Sequence, residues 1–506
     1  MTVAPGARTI GSSGPSGPAL AVAADGTKVV LPRTGLFIGG EWRPSSSGAT
    51  LAVNDPATEE VIAEVADAEV EDAIAATSAA SMALVSWSAT APRERGELLR
   101  AAFERMLAEA DRLAYIMSLE NGKTLADARG EVRYAAEFFR WFSEEAVRNR
   151  GWLGTNPAGS NRMVVIHQPI GVSVLVTPWN FPAAMATRKI GPALAAGCTI
   201  VLKPASATPL TALAIAEILA KVGVPAGVVN VVPSSRSGEV VSAMLDRPEV
   251  RKLSFTGSTA VGKILLAAAS RRVISCSMEL GGNAPFLVLA DADMEQAVAG
   301  AMIAKMRNGG QACTAANRFF VDEKVAAEFG EKLGAAMSRL TIGAGTAVGT
   351  ECGPVISADS KEKVRGLIDD AVVRGATIVS GGRPLERRGY FVAPTVLTDV
   401  RPGSMLLEDE IFGPVAPIIP FRDLDEAVRA ANATPYGLIG YVFTRDLGRG
   451  LAVAEALEVG MIGLNRGLVS DPAAPFGGVK ESGLGREGAD VGMAEFQETK
   501  YIATEW

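Results

Sequence analysis

The sequence predicts an α/β protein built from two doubly wound units. Three observations carry that prediction. Short β-branched strands alternate with helical stretches along the middle of the chain. A second such alternation starts after Glu279. Loops rich in Gly and Pro separate the elements.

The elements follow in order. Roughly the first thirty residues are rich in Gly, Pro, Ser and Ala and lack a charged segment followed by an apolar one, so they read as a poorly ordered arm and not as a secretory signal. From about Glu59 to Arg150 the pattern is helical, and Asn121-Gly122 is a helix stop. From Met163 the run MVVIHQPIGVSVLVTPWN suggests an exposed strand, then a buried one. TIVLKPA, VVNVVP and KLSFTGS are strand-like, and helices are expected from Pro209 and Thr259. In the second unit PFLVLA, RFFVDEK and ATIVSGG are strand-like.

Composition narrows the chemistry. Hydrophobic residues make up 48% and charged residues 21% of 506, a mix suited to a large globular core. The net charge of −7 and the lack of a long basic run argue against nucleic acid, and no long apolar run indicates a membrane span. Four cysteines in so long a chain fit a reducing, cytoplasmic setting. With one histidine, His167, a histidine-based triad and a multi-histidine metal site drop out, and no metal is expected. Acid–base work must then fall to a carboxylate, lysine, thiol or water.

Three segments carry candidate chemistry. In FTGSTAVGK, Gly257 and Gly262 flank a turn that opens a helix, where backbone N–H groups can meet a phosphate; taken alone, a purely structural turn serves equally well. An ATP loop is disfavoured because Ile264 replaces the magnesium-binding hydroxyl. In SMELGGNAPF, Glu279 lies between Met278 and Leu280 and just ahead of a Gly pair, surroundings that suit either a general base or a capping, salt-bridged carboxylate. In RNGGQACTAANR, Cys313 sits among small residues in a loop expected to open a helix from about Thr314, which would favour thiolate. Cys198, Cys276 and Cys352 read as inert.

Taken together with PWNFP, KPAS, EIFGP and PFGGVKESGLGRE, these segments give the chain a resemblance to the aldehyde dehydrogenase superfamily from about Leu36 to Tyr501. The resemblance implies a nucleophile at Cys313, a base for the deacylating water at Glu279, and an oxyanion-hole amide at Asn180. It implies a thiohemiacetal and a thioester on Cys313. It places cofactor contacts at Trp179, Lys203, Pro204, Ala205, Ser206, Gly257, Ser258, Leu280, Glu410 and Phe412. Ser206 stands where relatives preferring NAD often carry Glu, so NADP is expected, with NAD as the alternative.

Within the superfamily the chain is similar to succinate-semialdehyde dehydrogenases, through QPIGV, TPWNFPAAMATRKIGPALAAGC, RKLSFTGST and APFGGVKESGLGREG. That similarity implies that Arg188, Arg307 and Ser470 hold a distal carboxylate. Ala315 replaces a cysteine often found two residues after the nucleophile, which excludes a disulfide switch between those positions. Arg466, Asp471 and Pro472 leave chain length open, with glutarate semialdehyde as an alternative. A CoA-acylating relative is disfavoured by Glu279, and a non-catalytic protein by the full set of motifs. The family pattern further implies a cofactor domain over 36–153 and 172–280, with 463–486 returning to it. A catalytic domain over 281–462 and a small β oligomerisation element over 154–171 and 487–506 complete it, after an arm at 1–35. A homodimer or homotetramer is expected.

Overall fold

The computed structural model describes residues 19–505. Two large sheets dominate. The first runs in the order 483–484, 275–279, 250–256, 172–176, 199–203, 229–231, 36–38 and 41–43. Its five central strands are parallel, and the outer ones pair antiparallel. Alternate residues of Thr199–Lys203 feed opposite cores: Ile200 and Leu202 face one helical layer, Val201 the other. A strand covered on both faces has no polar side, which is why TIVLK reads as a continuous apolar run.

The order of strands reverses between Val172–Val176 and Val250–Thr256, because the chain winds from the former through 199–203 and 229–231 and then returns to the other side. A crevice opens outside the carboxyl ends of strands at such a reversal. Into it run Thr177 to Asn180 and the turn at Gly257 and Ser258.

The second sheet runs 377–380, 395–398, 415–421, 316–322, 284–288, 439–443 and 461–464, parallel except for its first pair. It is also covered twice, with Phe286 and Val288 in one core and Leu287 in another. The third sheet joins Trp152–Thr155, Arg162–Pro169 and Gln497–Thr504.

Several expectations change. Val61–Ala66 is a strand paired with Thr50–Asn54, so the helical region begins only at Val70. Ile62, Ala63, Val65 and Ala66 are all buried, so both faces of this strand are covered along most of its length. The long stretch from Pro92 forms two helices, Pro92–Ala108 and Ala110–Asn121, and the second stops at Gly122 with φ +88°. Part of the expected arm, residues 19–31, instead forms a hairpin of Leu20–Val22 and Lys28–Val30 that buries Ala21, Val29 and Leu31. Residues 1–18 lie outside the described residues.

No helix follows Cys313. The chain turns there and enters the strand Ala316–Asp322, which pairs with neighbours on both sides. The small residues after Cys313 permit a helix locally. Pairing of Phe319–Val321 in a buried sheet overrides that preference.

Candidate active site

The two large sheets meet where the site forms. Glu279 ends a strand of the first sheet, and Ala284–Val288 soon opens the second. Cys313 lies just ahead of Ala316–Asp322, the strand beside it. A cavity of about 530 Å³ reaches from this junction to the carboxyl edge of the first sheet.

The loop that presents Cys313 is held by its own side chains. Asn308, Gly309 and Gly310 all have positive φ. A Cβ at Gly310 would lie 2.2 Å from the Gly413 carbonyl oxygen, so only glycine fits there. The Asn308 amide donates to the carbonyls of Asn180 and Gln311, while Gln311 Oε1 accepts from the Ile356 N–H. Tyr441 donates to the Thr314 carbonyl at 2.8 Å. Asn180 Nδ2 donates to the Gln311 carbonyl at 3.2 Å, an acceptor that fixes which side of the amide faces the loop. Asn180 and Cys313 line the same cavity, and among the described residues the amide makes no second donated hydrogen bond.

Burial pushes the Cys313 thiol up to about 12. Arg188 opposes this, Glu410 and Glu279 reinforce it, and Arg307 pulls it down again. The thiolate expected from a helix N-terminus is therefore absent: there is no helix, and the thiol is protonated at neutral pH.

Glu279 is buried and, among the described residues, has neither a hydrogen-bond nor an ion-pair partner; its Oε2 is wholly unsatisfied. Burial and the charge of Glu487 raise it well above the usual carboxylate range, against Arg188, Lys189 and Arg486. An unpaired buried carboxyl stays neutral until something accepts its proton or water reaches it. A capping or salt-bridged role is thus ruled out.

Glu487, which sequence reasoning passed over, supplies the contrast. It bridges Lys189 Nζ at 2.5 Å and Arg188 Nη1 at 3.3 Å. Burial raises it, but the two cations outweigh burial and hold it below its ordinary value.

The expected cofactor residues Trp179, Lys203, Ala205, Ser206, Gly257, Ser258, Leu280, Glu410 and Phe412 all line the cavity. Pro204 does not; it is buried behind the wall. Trp179 meets Phe412 edge-on with ring centroids 5.4 Å apart. Glu410 Oε1 accepts from the Gly282 N–H at 3.3 Å, and burial lifts its carboxyl to about 7.

Helix termini in the first sheet's unit show where an anion fits. The N-terminus of Pro182–Ala196 is occupied by Glu131, which accepts from the Ala183 and Ala184 N–H groups. That of Pro209–Lys221 is occupied by Glu120, which accepts from Leu210 and Thr211. The helix Thr259–Ser270 has only its own Ser258 as a cap, and Ser258 and Val261 open onto the cavity. Two termini are closed by protein carboxylates, and the third is available to a phosphate.

Lys203 adds a cation without a carboxylate partner: its hydrogen bond goes to the Ser237 hydroxyl, and burial lowers it to about 8. Ser237, Ser360 and Lys363 also line the cavity. Ser237 opens the helix after Val229–Val231 and was legible as another strand-to-helix junction, whereas Ser360 and Lys363 come from a distant helix with no local motif.

A second cavity, about 560 Å³, is lined by Arg307, Ser470, Tyr134, Leu468 and Met306 among others. It approaches the first across Phe181, which lines the first cavity and carries Arg307 at 4.6 Å from its ring centroid. Among the described residues Arg307 has no salt bridge. Arg188 behaves differently: it is buried, committed to Glu487 and Tyr134, and packed 4.0 Å over the Phe476 ring, with only Nε unsatisfied. Arg466 and Asp471 are exposed, and neither lines this cavity.

Comparison with known proteins matches this geometry. A family model described as the aldehyde dehydrogenase family matches residues 42–502. The chain is 53% identical to the succinate-semialdehyde dehydrogenase of Paenarthrobacter nicotinovorans, over 87% of this chain and 98% of that protein. It is 48% identical to the glutarate-semialdehyde dehydrogenase of Pseudomonas aeruginosa, over 92% and 96%. A crystal structure of an E. coli NADP-dependent enzyme superposes with a TM-score of 0.93 at 47% identity, covering 94% of this chain and 99% of the other. With its thiol, unpaired carboxyl and nucleotide-sized cavity assembled at the junction of two doubly wound sheets, this chain belongs to the aldehyde dehydrogenase family.

Proposed function

We propose that the protein oxidises succinate semialdehyde to succinate with NADP. The observation that carries this reading is the second cavity, where Arg307 and Ser470 converge and Arg307 makes no salt bridge among the described residues, with Asp127 the nearby carboxylate that feels its charge. A guanidinium facing a cavity beside the nucleophile favours an aldehyde with a distal carboxylate over a neutral one. The three carboxylates that line the cavity each have a partner: Glu131 pairs with Lys123, Asp127 accepts from the Asn308 N–H, and Glu351 accepts from the Thr341 N–H. Arg188, expected to hold the same carboxylate, lines neither cavity and is engaged by Glu487 and Tyr134 instead. Glutarate semialdehyde is the alternative, favoured by the near-equal similarity to an enzyme named for it.

For the nucleotide, the pyrophosphate fits the turn at Gly257 and Ser258, and Glu410 suits a ribose hydroxyl. Lys203, Ser206 and Ser237 form a rim whose cation suits a 2′-phosphate, and the nearby Asp67 carboxylate is held by the Ser235 N–H and hydroxyl. A nicotinamide nucleotide bound here supplies the two-electron acceptor that turns a thiohemiacetal into a thioester.

The chain's own groups do the rest. The Cys313 thiol passes its proton to solvent water in the cavity, the thiolate attacks the aldehyde carbon as the C=O π bond breaks, and the oxyanion that forms meets the Asn180 amide and the Cys313 N–H. Losing one such donor costs on the order of 3 kcal/mol of barrier. Glu279, ionised once a water reaches it, takes a proton from that water as it attacks the thioester, and the acid leaves. Its raised affinity for protons suits it to that transfer near neutral pH.

The first-sheet unit acts as the cofactor domain and the second as the catalytic domain. The third sheet joins subunits.

A panel assay tests this. Nicotinamide reduction is followed with succinate semialdehyde, glutarate semialdehyde and butanal, with NADP or NAD, with and without CoA. Succinate semialdehyde with NADP should give the highest kcat/KM, and CoA should change nothing. Glu279→Gln should give one rapid turnover and then a slow phase. A lack of nicotinamide reduction with every aldehyde tried, or full activity in Cys313→Ala, would sink the reading.

A further inference from the structure

Tyr134 stands on the helix Leu125–Glu145 and lines the second cavity, half-buried, where no sequence motif pointed. It touches both arginines. Its hydroxyl accepts a hydrogen bond from Arg188 Nη2 at 2.8 Å. Its ring lies 5.7 Å from the Arg307 guanidinium carbon and 5.9 Å from that of Arg188. Phe138 meets the ring edge-on at 5.0 Å and holds its orientation.

The hydroxyl's second capacity is unused. A phenol accepts and donates at once. Arg188 fills the acceptor side, and among the described residues nothing accepts the phenol proton. A phenol whose oxygen already faces a guanidinium is a stronger donor, because the neighbouring charge polarises its O–H bond. The cavity presents Arg307 and Ser470 together with the already partnered carboxylates Asp127, Glu131 and Glu351, so the group left to take this O–H is an incoming anion with spare lone pairs. Arg188 itself is not a wall of that cavity, so Tyr134 is also the group through which its charge reaches the cavity.

We infer that the Tyr134 hydroxyl is a further donor to the distal carboxylate of the substrate and, by anchoring Arg188, sets the position of the carboxylate subsite. The inference rests on the semialdehyde reading above. Tyr134 is a specificity-determining residue: it does not touch the carbon that reacts.

Tyr134→Phe isolates the hydroxyl, because the ring, its edge contact with Phe138 and its face towards Arg307 remain. Kinetics with succinate semialdehyde and butanal, which has the same chain length without the carboxylate, read the effect. Loss of a hydrogen bond to a charged group should lower kcat/KM for the semialdehyde by about tenfold or more, mostly through KM. Butanal kinetics and the KM for NADP should stay within about twofold of the parent. Equal losses on both aldehydes, or no loss on either, would overturn the inference. If the parent enzyme itself shows no preference for the semialdehyde, the carboxylate reading falls and this inference with it. A crystal structure with succinate gives the direct check. A carboxylate oxygen within hydrogen-bond distance of the Tyr134 hydroxyl supports the assignment, and a carboxylate seated on Arg307 and Ser470 alone overturns it.

Discussion

Glu279 and Glu487 belong to one buried network, yet their surroundings drive them apart: burial raises the first, and two cations lower the second. Two carboxyls with opposed proton affinities is the arrangement expected where one must stay neutral until needed and the other must hold a charge in place. At this scale Cys313 yields a prediction with a definite sign. With the thiol raised to about 12, the nucleotide-free protein carries little thiolate at neutral pH. Alkylation of Cys313 by iodoacetamide should be slower than that of an exposed cysteine at pH 7.5 and should climb by about tenfold per pH unit through pH 8 to 10. Peptide mass mapping identifies the site, and a rate that levels off below pH 9 would contradict the burial argument. Arg307 gives a second prediction. Arg307→Ala should raise KM for succinate semialdehyde by on the order of tenfold to a hundredfold and leave butanal nearly unchanged. Equal effects on the two substrates would remove Arg307 from the carboxylate site.

Among the elements, the loop Arg307–Gly310 does the positioning. Its backbone is held in left-handed conformations, with Asn308 at φ +52° and Gly310 at φ +80°. Gly310→Ala would force Cβ into the Gly413 carbonyl and shift the nucleophile. A shift of about 1 Å costs on the order of 100-fold in rate, so kcat should fall by about that much while NADP affinity holds. Gly366→Ala is the control: a Cβ there meets open space, and activity should be unchanged. Wild-type kcat in Gly310→Ala would show that the loop tolerates the shift. Element signals in the sequence were uneven. Asn121-Gly122 announced a helix end, because a left-handed cap needs glycine. The turn after Cys313 was misread as a helix start, because Ala315 and Ala316 favour a helix locally and the partner strand Ala284–Val288 is not adjacent in sequence.

In the whole molecule, the third sheet leaves work for a partner. Trp152 and Leu153 are 53% and 61% exposed, and Tyr501 and Ile502 are 55% and 42% exposed. They lie in register, with Trp152 and Tyr501 both opposite Val165. Both outer strands, Trp152–Thr155 and Gln497–Thr504, present unpaired edges within the described residues. Apolar side chains exposed on both faces of a sheet with open edges favour association. Sedimentation should therefore show a dimer or larger species, and Trp152→Glu with Tyr501→Lys should shift it towards the monomer. A monomeric parent protein would remove this reading. No helix among the described residues is long and apolar enough to cross a membrane.

The sequence by itself determined what is local: the alternation of strands and helices, the turn at Gly257 and Ser258, the thiol at Cys313 and the carboxyl at Glu279. Such features depend on residue type and short spacing, which survive without a fold. Only the tertiary structure decided what those groups do at neutral pH. It set Cys313 and Glu279 in surroundings that raise both above their ordinary values, closed two helix termini with Glu120 and Glu131, and tied Arg188 to Glu487, 299 residues away. It also set Tyr134 between two arginines. Burial and charge pairing depend on partners that only folding brings together, and no periodicity in the chain announces them.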